Sequence, residues 1–205
     1  MQNLAAHPEV TGVMVQKPRR TSYEQAWEAQ KQTDYLGFSE WWQTLVTNIP
    51  EEKDVDGLSP AVLEKLRRGE QPKVLPATVK AVLRSLQNVD CGQKKILVIG
   101  KSGILGLPLT QYWRNLGYEV ENWGRKEFER ERLRDFALIV SATGRPNLIL
   151  GDNLQSDVIL IDVGEPKGDC EWLSCVKKAS FITPVPGGIG PLTVAMLLEN
   201  AVIIR

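Results

Sequence analysis

Four short apolar segments constrain the fold of this chain most, because each is a strand-like run that ends at or just before a glycine. They are Lys94–Gly100, Gly117–Trp123, Ala137–Gly144 and Val158–Gly164. Such runs are typical of strands covered on both faces. Between the first two, apolar residues recur at helical spacing and a glycine follows as a helix C-cap. These residues are Leu105, Leu109, Trp113, Leu116 and Gly117. The alternation predicts an α/β fold with a doubly wound parallel sheet.

The ends of these strands mark the expected ligand site, since a doubly wound sheet binds its ligand at the carboxyl ends of its strands. The turn after the first strand carries Gly100, Ser102 and Gly106, small residues that let the backbone approach a pyrophosphate at a helix N-terminus. The alternative is that the glycines only permit close packing of strand and helix. A triphosphate-binding loop is excluded, because it needs a glycine five positions before Gly100, where Lys95 stands.

The residues after the second predicted strand bear on the choice of cofactor. An enzyme that prefers NAD usually places an acidic residue here, whereas Arg125 and Lys126 are basic and suit a 2′-phosphate. The sequence therefore predicts NADP, with NAD as the open alternative. The other interpretation is solvated surface charge, because arginines follow at Arg130, Arg132 and Arg134.

Composition argues against several other classes of protein. The 25 basic and 25 acidic residues cancel, which disfavours nucleic acid as a partner. No apolar run approaches the roughly 20 residues needed to cross a bilayer, and no secretory leader is recognisable, so we expect a cytoplasmic protein without a membrane role. His7 is the only histidine, and Cys91, Cys170 and Cys175 lack metal-ligand spacing. The sequence therefore predicts no metal site and no Ser-His-Asp catalysis.

The residues before position 89 follow a different pattern. Val10–Pro18 is an apolar run closed by a proline and predicts a further strand, whereas Pro76–Leu86 has apolar residues at helical spacing and predicts a linking helix. The polar stretch between them carries three tryptophans, which either anchor a core, the favoured interpretation, or face a partner. They are Trp27, Trp41 and Trp42.

Several motifs occur together and in order. The chain carries PEVTGVMVQKP, PEEKDVDG, VIGKSGILGLP, ATGRPN, VILIDVG, GD and ASFITPVPGGIGPLTVAMLLEN. In this combination the sequence resembles the methylenetetrahydrofolate dehydrogenase/cyclohydrolase family from about Pro8 to Asn200. The last motif is the most specific, because its prolines and glycines also predict an irregular loop of functional importance before a helix that starts near Pro191.

The resemblance implies both a domain organisation and an activity. Residues 1–88 would be a shortened N-terminal α/β folate domain with its linking helix, and residues 89–182 a Rossmann-like NAD(P)-binding domain. Residues 183–205 would be a substrate and cofactor loop followed by a C-terminal helix returning to the N-terminal domain. The implied activity is NADP-dependent oxidation of 5,10-methylenetetrahydrofolate to 5,10-methenyltetrahydrofolate and hydrolysis of that product to 10-formyltetrahydrofolate, by a homodimer.

The resemblance also assigns the site residues. Gln16 and Asp56 are the catalytic candidates and contact the folate, Asp56 by accepting paired hydrogen bonds from the pterin. Asp54 instead fixes the turn. The other implied substrate-binding residues are Pro184, Pro186, Gly187 and Gly188. The implied cofactor-binding residues are Gly100, Lys101, Ser102, Gly106, Arg125, Lys126, Thr143, Gly144 and Glu165.

One element of the family's pattern is missing from the sequence. The family's catalytic Tyr-x-x-x-Lys lies on a helix upstream of the strand that carries Gln16, and the chain begins only nine residues before that strand. Tyr23 and Tyr35 have Trp27 and Ser39 four positions later, so neither restores the motif. We therefore expect a crippled cyclohydrolase. Two alternatives stay open: a noncatalytic NAD(P)-binding or partner-binding protein derived from this fold, and a fragment of a longer enzyme.

Overall fold

The computed structural model describes most of the chain. The described residues are 7–18, 20–30, 37–92, 95–101 and 104–205. Ser102, which the sequence assigns to the cofactor site, lies outside these ranges, and so does Lys94 at the start of the first predicted strand.

A five-stranded parallel sheet forms the centre of the described structure. Its strands are β1 (Ile96–Ile99), β2 (Val120–Trp123), β3 (Leu138–Ser141), β4 (Val158–Asp162) and β5 (Ala179–Ile182). They lie in the order β2-β1-β3-β4-β5, and every neighbouring pair is parallel. Strands β1 to β4 fall within the four predicted segments, which confirms the predicted parallel sheet.

The register of the strands brings their carboxyl ends together at one edge. Ile99 lies opposite both Trp123 and Ser141, and Ser141 lies opposite Asp162. Strand β5, which the sequence did not predict, adds a half-buried outer strand beside β4. The loops after these strands therefore emerge side by side, where a doubly wound sheet binds its ligand.

The helices of the described structure agree with the sequence wherever it predicted one. They are α1 (Arg20–Gln30), α2 (Phe38–Thr47), α3 (Pro60–Arg67), α4 (Ala77–Ser85), α5 (Gly106–Asn115), α6 (Trp172–Cys175) and α7 (Ile189–Ile204). Short 3-10 turns lie at Glu51–Lys53, Arg130–Asp135 and Gly151–Asn153. Helix α4 is the predicted linking helix, and α5 ends before Gly117, whose φ of +87° suits the predicted cap. Helix α7 begins slightly before the predicted Pro191.

Two apolar cores lie on opposite faces of the sheet. Ile96 and Val98 face the core shared with α4, α5 and α7, whereas Leu97 and Ile99 face a core that includes Phe136. Alternate residues of a strand point to opposite faces, so the sheet is covered on both sides as predicted. Within the described ranges, no helix is long and apolar enough to span a bilayer.

The predicted strand over Val10–Pro18 is wrong. In the described residues this segment forms a single isolated bridge, between Val13 and Asp54. Val13 N–H donates to the carbonyl of Lys53 at 2.6 Å, and Val55 N–H donates to the carbonyl of Val13 at 3.3 Å. An apolar run becomes a strand only where a second strand pairs with it, and here the described chain offers one short turn.

Helices α1 and α2 pack through their aromatic side chains. Trp42 is buried, and Tyr23 packs against Trp41 and Phe38 with ring centroids 4.6 Å and 5.3 Å apart. Trp27 meets Tyr23 edge-on at 6.1 Å. These side chains form a small aromatic core, which agrees with the favoured interpretation of the tryptophans.

Candidate functional site

The loops after β1, β2 and β3 enclose a cleft of about 290 Å³, which we call the β1–β3 cleft. The predicted cofactor residues in its lining are Gly100, Lys101, Arg125 and Thr143. Arg145, which belongs to the motif ATGRPN and was not among the predicted site residues, lines it as well. Lys126 is exposed and lies outside this lining. The cleft thus collects three basic side chains at the carboxyl edge of the sheet.

Lys101 forms an ion pair with Glu127 of the loop after β2. Its Nζ lies 3.0 Å from Oε1 of Glu127, and Oε2 of Glu127 accepts a hydrogen bond from Gly124 N–H at 3.0 Å. The hydrogen bond from Lys101 lowers the pKa of Glu127 below its ordinary value. The pair draws the glycine turn after β1 toward the loop after β2.

Gly100 and Gly106 have a local structural role. A Cβ at Gly106 would lie 2.1 Å from the carbonyl oxygen of Gly100, and a Cβ at Gly100 would lie 2.9 Å from that of Ala142. Gly100 also has a φ of +128°, which side-chain-bearing residues rarely adopt. These glycines do permit close packing of strand and helix, and their contact with a pyrophosphate stays a prediction.

A second cleft of about 610 Å³ lies between the end of β4 and the start of α7, and we call it the β4–α7 cleft. The predicted residues that line it are Glu165, Pro184, Pro186, Gly187 and Gly188. Ala142 lines both clefts, so they adjoin at the end of β3. Within the described part of this lining, the ionisable side chains are those of Asp162 and Glu165.

Gly144 stands at the loop between the two clefts. It is exposed, with a φ of +65°, and a Cβ there would lie 3.3 Å from the carbonyl oxygen of Glu165. Glu165 itself directs a carboxylate oxygen to within 3.2 Å of a Cβ position at Gly190, in the first turn of α7. The loops after β3 and β4 and the start of α7 therefore meet closely.

Asp169, which the sequence analysis did not select, organises the loop after β3. It is fully buried. One oxygen accepts hydrogen bonds from the Ser141 hydroxyl at 2.6 Å and from the N–H and hydroxyl of Thr143 at 2.8 Å and 2.9 Å. The other accepts from Arg145 N–H at 2.8 Å. Asp169 thus fixes the backbone that carries Thr143 and Arg145 into the β1–β3 cleft.

Asp162, the last residue of β4, holds the neighbouring loop in the same way. Its oxygens accept hydrogen bonds from the N–H groups of Gly164, Asp169 and Cys170 at 2.9, 3.0 and 2.8 Å. Burial raises the pKa of Asp162, and these hydrogen bonds oppose the rise. The sequence carried a signal for each of these two acids. Asp162 is an acidic residue at the end of a buried strand, and Asp169 belongs to the GD pair; both lie within motifs that carry the family resemblance.

Asp56 is linked to the larger cleft through the backbone at the start of α4. Its carbonyl accepts a hydrogen bond from Ala77 N–H at 3.2 Å, next to Thr78, which lines the β4–α7 cleft. Burial raises the pKa of the Asp56 carboxyl to about 6; the charge of Asp54 adds to the rise and a hydrogen bond from Ala77 opposes it. Asp56 and the exposed Gln16 lie outside the lining of both clefts. Their contact with a substrate stays a prediction.

The turn that carries Asp56 is anchored from both sides. Asp54 is buried and accepts a hydrogen bond from Ser59 N–H at 2.6 Å, which agrees with its predicted role in the turn. From α7, the fully buried Asn200 donates to the carbonyls of Val55 and Leu75 at 3.0 Å and 2.9 Å. These partners are 145 and 125 positions away in the chain, and the sequence carried no signal for the contact.

We expect Asp56→Asn to stabilise the fold at pH 7.5 and to have little effect at pH 4. The pKa of Asp56 is about 6 in the folded chain and about 3.9 in an unfolded one. The folded state therefore binds the proton more tightly, and this carboxyl makes the free energy of unfolding fall as the pH rises from about 4 to 6. Thermal denaturation at both pH values measures the difference, with the exposed Glu52→Gln as control. Equal shifts in Tm at the two pH values would contradict the raised pKa of Asp56 in the folded chain.

Lys17 lies against the aromatic core beside Gln16. Its Nζ is 5.1 Å from the ring centroid of Trp42 and 5.5 Å from that of Phe38. Burial lowers the pKa of this lysine. The side chain lines a small cleft of about 260 Å³ between α2, α3 and α5 and is absent from the lining of the β4–α7 cleft.

The fold and these clefts together define a class of protein. A parallel doubly wound sheet, a glycine turn at the N-terminus of α5 and a basic cleft at the carboxyl edge are the features of a Rossmann-like dinucleotide-binding protein. The cationic groups of the β1–β3 cleft and its small residues suit a phosphate-bearing cofactor, so the residues present fit the group that the sequence predicted.

Comparisons with known proteins identify the family within this class. Residues 75–205 match the tetrahydrofolate dehydrogenase/cyclohydrolase family, NAD(P)-binding domain. The chain is 34% identical to the bifunctional protein FolD of Metamycoplasma arthritidis, over 98% of this chain and 66% of that protein. It is 36% identical to the bifunctional protein FolD of Bacillus subtilis, over 78% of this chain and 60% of that protein.

A solved structure agrees with these relatives. The crystal structure of N5,N10-methylenetetrahydrofolate dehydrogenase-cyclohydrolase from Trypanosoma brucei, complexed with NADP cofactor and inhibitor, has a TM-score of 0.75 at 27% identity, over 91% of this chain and 72% of that one. The chain belongs to the tetrahydrofolate dehydrogenase/cyclohydrolase family, which confirms the resemblance seen in the sequence. It spans about two thirds of the length of the curated relatives that it matches.

Proposed function

We propose that this chain binds NADP across the two adjoining clefts and acts in one-carbon folate metabolism, oxidising 5,10-methylenetetrahydrofolate to 5,10-methenyltetrahydrofolate. The observation that carries the proposal is the meeting, at Ala142, of a basic cleft with a larger cleft lined by prolines and glycines. NADP, when bound, supplies the acceptor for the hydride. The NAD(P)-binding domain of the family and the NADP complex of the relative from Trypanosoma brucei support this cofactor.

The β1–β3 cleft would hold the phosphates of the cofactor. Gly100, Gly106 and the N-terminus of α5 would admit the pyrophosphate, and the resemblance assigns Ser102 to the same contact. Lys101, Arg125 and Arg145 line the cleft and would neutralise phosphate charge, and Lys126 would add to it from outside. Arg125 is the residue we assign to the 2′-phosphate, and NAD, which lacks that group, is the alternative cofactor. Thr143, Gly144 and Glu165 would border the cofactor further along.

We expect Arg125→Ala to weaken the binding of NADP by roughly 1.5 to 3 kcal/mol, as for the loss of a charged hydrogen-bond partner, and to change the binding of NAD little. Fluorescence titration of both cofactors measures the difference. Arg130→Ala, a substitution of an exposed arginine outside the cleft, is the matched control. An equal loss for NADP and NAD would refute the 2′-phosphate assignment, and no binding of either at millimolar concentration would refute the cofactor site.

The folate would lie in the β4–α7 cleft. Asp56 would accept paired hydrogen bonds from the pterin, which its ionised form provides above about pH 6. Pro184, Pro186, Gly187 and Gly188 would form the wall beside the pterin and the nicotinamide. Gln16, an amide that both donates and accepts, would contact the substrate from the N-terminal segment.

A second candidate function is NADP binding without catalysis, and one observation favours it. The ionisable side chains in the described lining of the β4–α7 cleft are those of Asp162 and Glu165, so this lining has no lysine or histidine to transfer a proton in the hydrolysis of the methenyl product to 10-formyltetrahydrofolate. Measuring both activities separates the two candidate functions. Dehydrogenase turnover supports the first, whereas NADP binding with neither dehydrogenase nor cyclohydrolase turnover supports the second.

The family resemblance also supports a domain organisation and an assembly for this chain. We place the folate domain at residues 1–88, the NAD(P)-binding domain at 89–182 and the substrate loop with its helix at 183–205. We further infer a cytoplasmic homodimer. The balance of 25 basic and 25 acidic residues supports a partner other than nucleic acid.

A further inference from the structure

The two adjoining clefts carry side chains of opposite charge. Lys101, Arg125 and Arg145 line the β1–β3 cleft. The ionisable side chains in the described lining of the β4–α7 cleft are the acids Asp162 and Glu165. A single ligand that spans both clefts therefore meets cations at one end and carboxylates at the other.

The two acids of the β4–α7 cleft differ in their hydrogen bonding. Asp162 is buried, and its oxygens accept three backbone hydrogen bonds, which offset its negative charge. Glu165 is exposed in the open cleft, and within the described ranges no hydrogen bond or ion pair engages its carboxylate. Glu165 is thus the carboxylate that is available to a ligand in this cleft.

The surroundings of Glu165 favour an electrostatic contact with a ligand. One oxygen of its carboxylate lies within 3.2 Å of a Cβ position at Gly190, so the carboxylate stands between the loop after β4 and the start of α7. The described lining around it consists largely of prolines, glycines and aliphatic residues such as Pro186 and Ile189. Charges interact more strongly where apolar walls and a bound ligand exclude water. A ligand in this cleft is therefore exposed to the charge of Glu165.

A carboxylate in this position distinguishes the two oxidation states of a nicotinamide. The oxidised ring carries one positive charge and the reduced ring is neutral, whereas the phosphates are the same in both forms. By Coulomb's law, a nearby carboxylate attracts the oxidised ring and has little effect on the neutral one. The charge pattern of the two clefts, cationic for the phosphates and anionic for the ring, therefore matches the oxidised form of the dinucleotide.

We infer that Glu165 makes this site selective for the oxidised dinucleotide, NADP⁺, over NADPH, by placing a negative charge beside the nicotinamide ring. The inference rests on the proposed function, because it takes the ring to lie in the β4–α7 cleft. Glu165 is then a specificity-determining residue. Since oxidation of the folate consumes the oxidised cofactor, this selectivity favours binding of the form that reacts and release of the reduced form.

The test measures the Kd of NADP⁺ and of NADPH separately, by calorimetric titration of the 205-residue chain and of Glu165→Gln, which keeps the size of the side chain and removes its charge. We expect NADP⁺ to bind about five- to fiftyfold more weakly, as for the loss of one nearby charge, and NADPH to change less than about twofold. Glu165→Lys should weaken NADP⁺ further, because it reverses the charge. Glu131→Gln, which removes an exposed carboxylate outside both linings, is the matched control and should leave both Kd values unchanged.

A fragment of the cofactor without the ring separates this inference from the proposed function. 2′-Phospho-ADP-ribose carries the phosphates of NADP⁺ but no nicotinamide, so Glu165→Gln should leave its Kd unchanged. Unchanged binding of this fragment and of NADPH also shows that the variant is folded. Equal changes for NADP⁺ and NADPH, no change for either, or an equal loss for the fragment would overturn the inference alone. Failure of the unaltered chain to bind any of the three at millimolar concentration would overturn the proposed function and the inference with it.

Discussion

Cyclohydrolase turnover by the purified 205-residue chain is expected to stay close to the spontaneous rate of methenyl hydrolysis, while dehydrogenase turnover survives better. The described lining of the β4–α7 cleft offers only Asp162 and Glu165 as ionisable groups, and Asp162 is committed to three backbone hydrogen bonds. A positioned general acid or base typically contributes 10²- to 10⁴-fold to a rate. Hydride transfer instead depends chiefly on aligning the two reacting carbons.

Absorbance of the methenyl compound, with and without protein, measures the hydrolysis. A turnover of roughly 1 per second or more, which is ordinary for an enzyme, would contradict the expectation. It would show that another group has replaced the lysine of the family's Tyr-x-x-x-Lys element. Lys17, whose pKa is lowered by burial, would then be the first residue to mutate.

Folate binding by the same chain is expected to be abolished in Asp56→Ala and unchanged in the control Glu52→Ala, which removes an exposed carboxylate.

The second large effect is expected from Asp169→Ala. This substitution removes a fully buried carboxylate and leaves the Ser141 hydroxyl and the Thr143 N–H without their acceptor. Arg145 N–H keeps only its longer hydrogen bond to the Thr143 hydroxyl, at 3.2 Å. Each buried donor left unsatisfied costs about 1 to 3 kcal/mol, so we expect a loss of about 3 to 5 kcal/mol in the free energy of unfolding. Because Thr143 and Arg145 line the β1–β3 cleft, NADP binding should weaken as well.

Urea denaturation followed by circular dichroism measures this loss, and NADP titration of the folded fraction measures the effect on the cleft. Asp152→Ala is the control, because it removes an exposed carboxylate from the neighbouring 3-10 turn. Asp169→Asn keeps one acceptor oxygen and should lose less stability than the alanine variant. A loss below about 1 kcal/mol for Asp169→Ala would mean that water or other groups satisfy these donors.

The predictions that succeeded concern features that are local in the chain. Strands β1 to β4 and helices α4 and α5 follow from apolar spacing and from glycines such as Gly117, whose positive φ ends α5. Resemblance of several motifs to one family, together with their order, was also readable from the sequence and was confirmed by the family match over residues 75–205. Gly100, Lys101, Arg125 and Thr143 do meet in one cleft, because parallel strands bring their carboxyl ends to the same edge.

The predictions that failed or fell short depend on partners distant in the chain. Val10–Pro18 has a strand's composition, but among the described residues it pairs only with a turn at Asp54, and composition cannot supply a neighbouring strand. Strand β5 is short and half-buried, so its sequence does not stand apart from the loop that follows it. Gln16 and Asp56 were assigned by resemblance; they lie outside the lining of both clefts, and their contact with a substrate stays a prediction.

By itself, the sequence determined the α/β class, the parallel sheet, the glycine turn and the family, since repeating spacing and motif order need no knowledge of contacts. Only the tertiary structure decided which side chains hold the site together. Asp169 reaches Ser141 across 28 positions and Asn200 reaches Val55 across 145. In the sequence, a buried acid or amide cannot be distinguished from any other polar residue, because its contribution to stability comes from the donors and acceptors that folding brings around it.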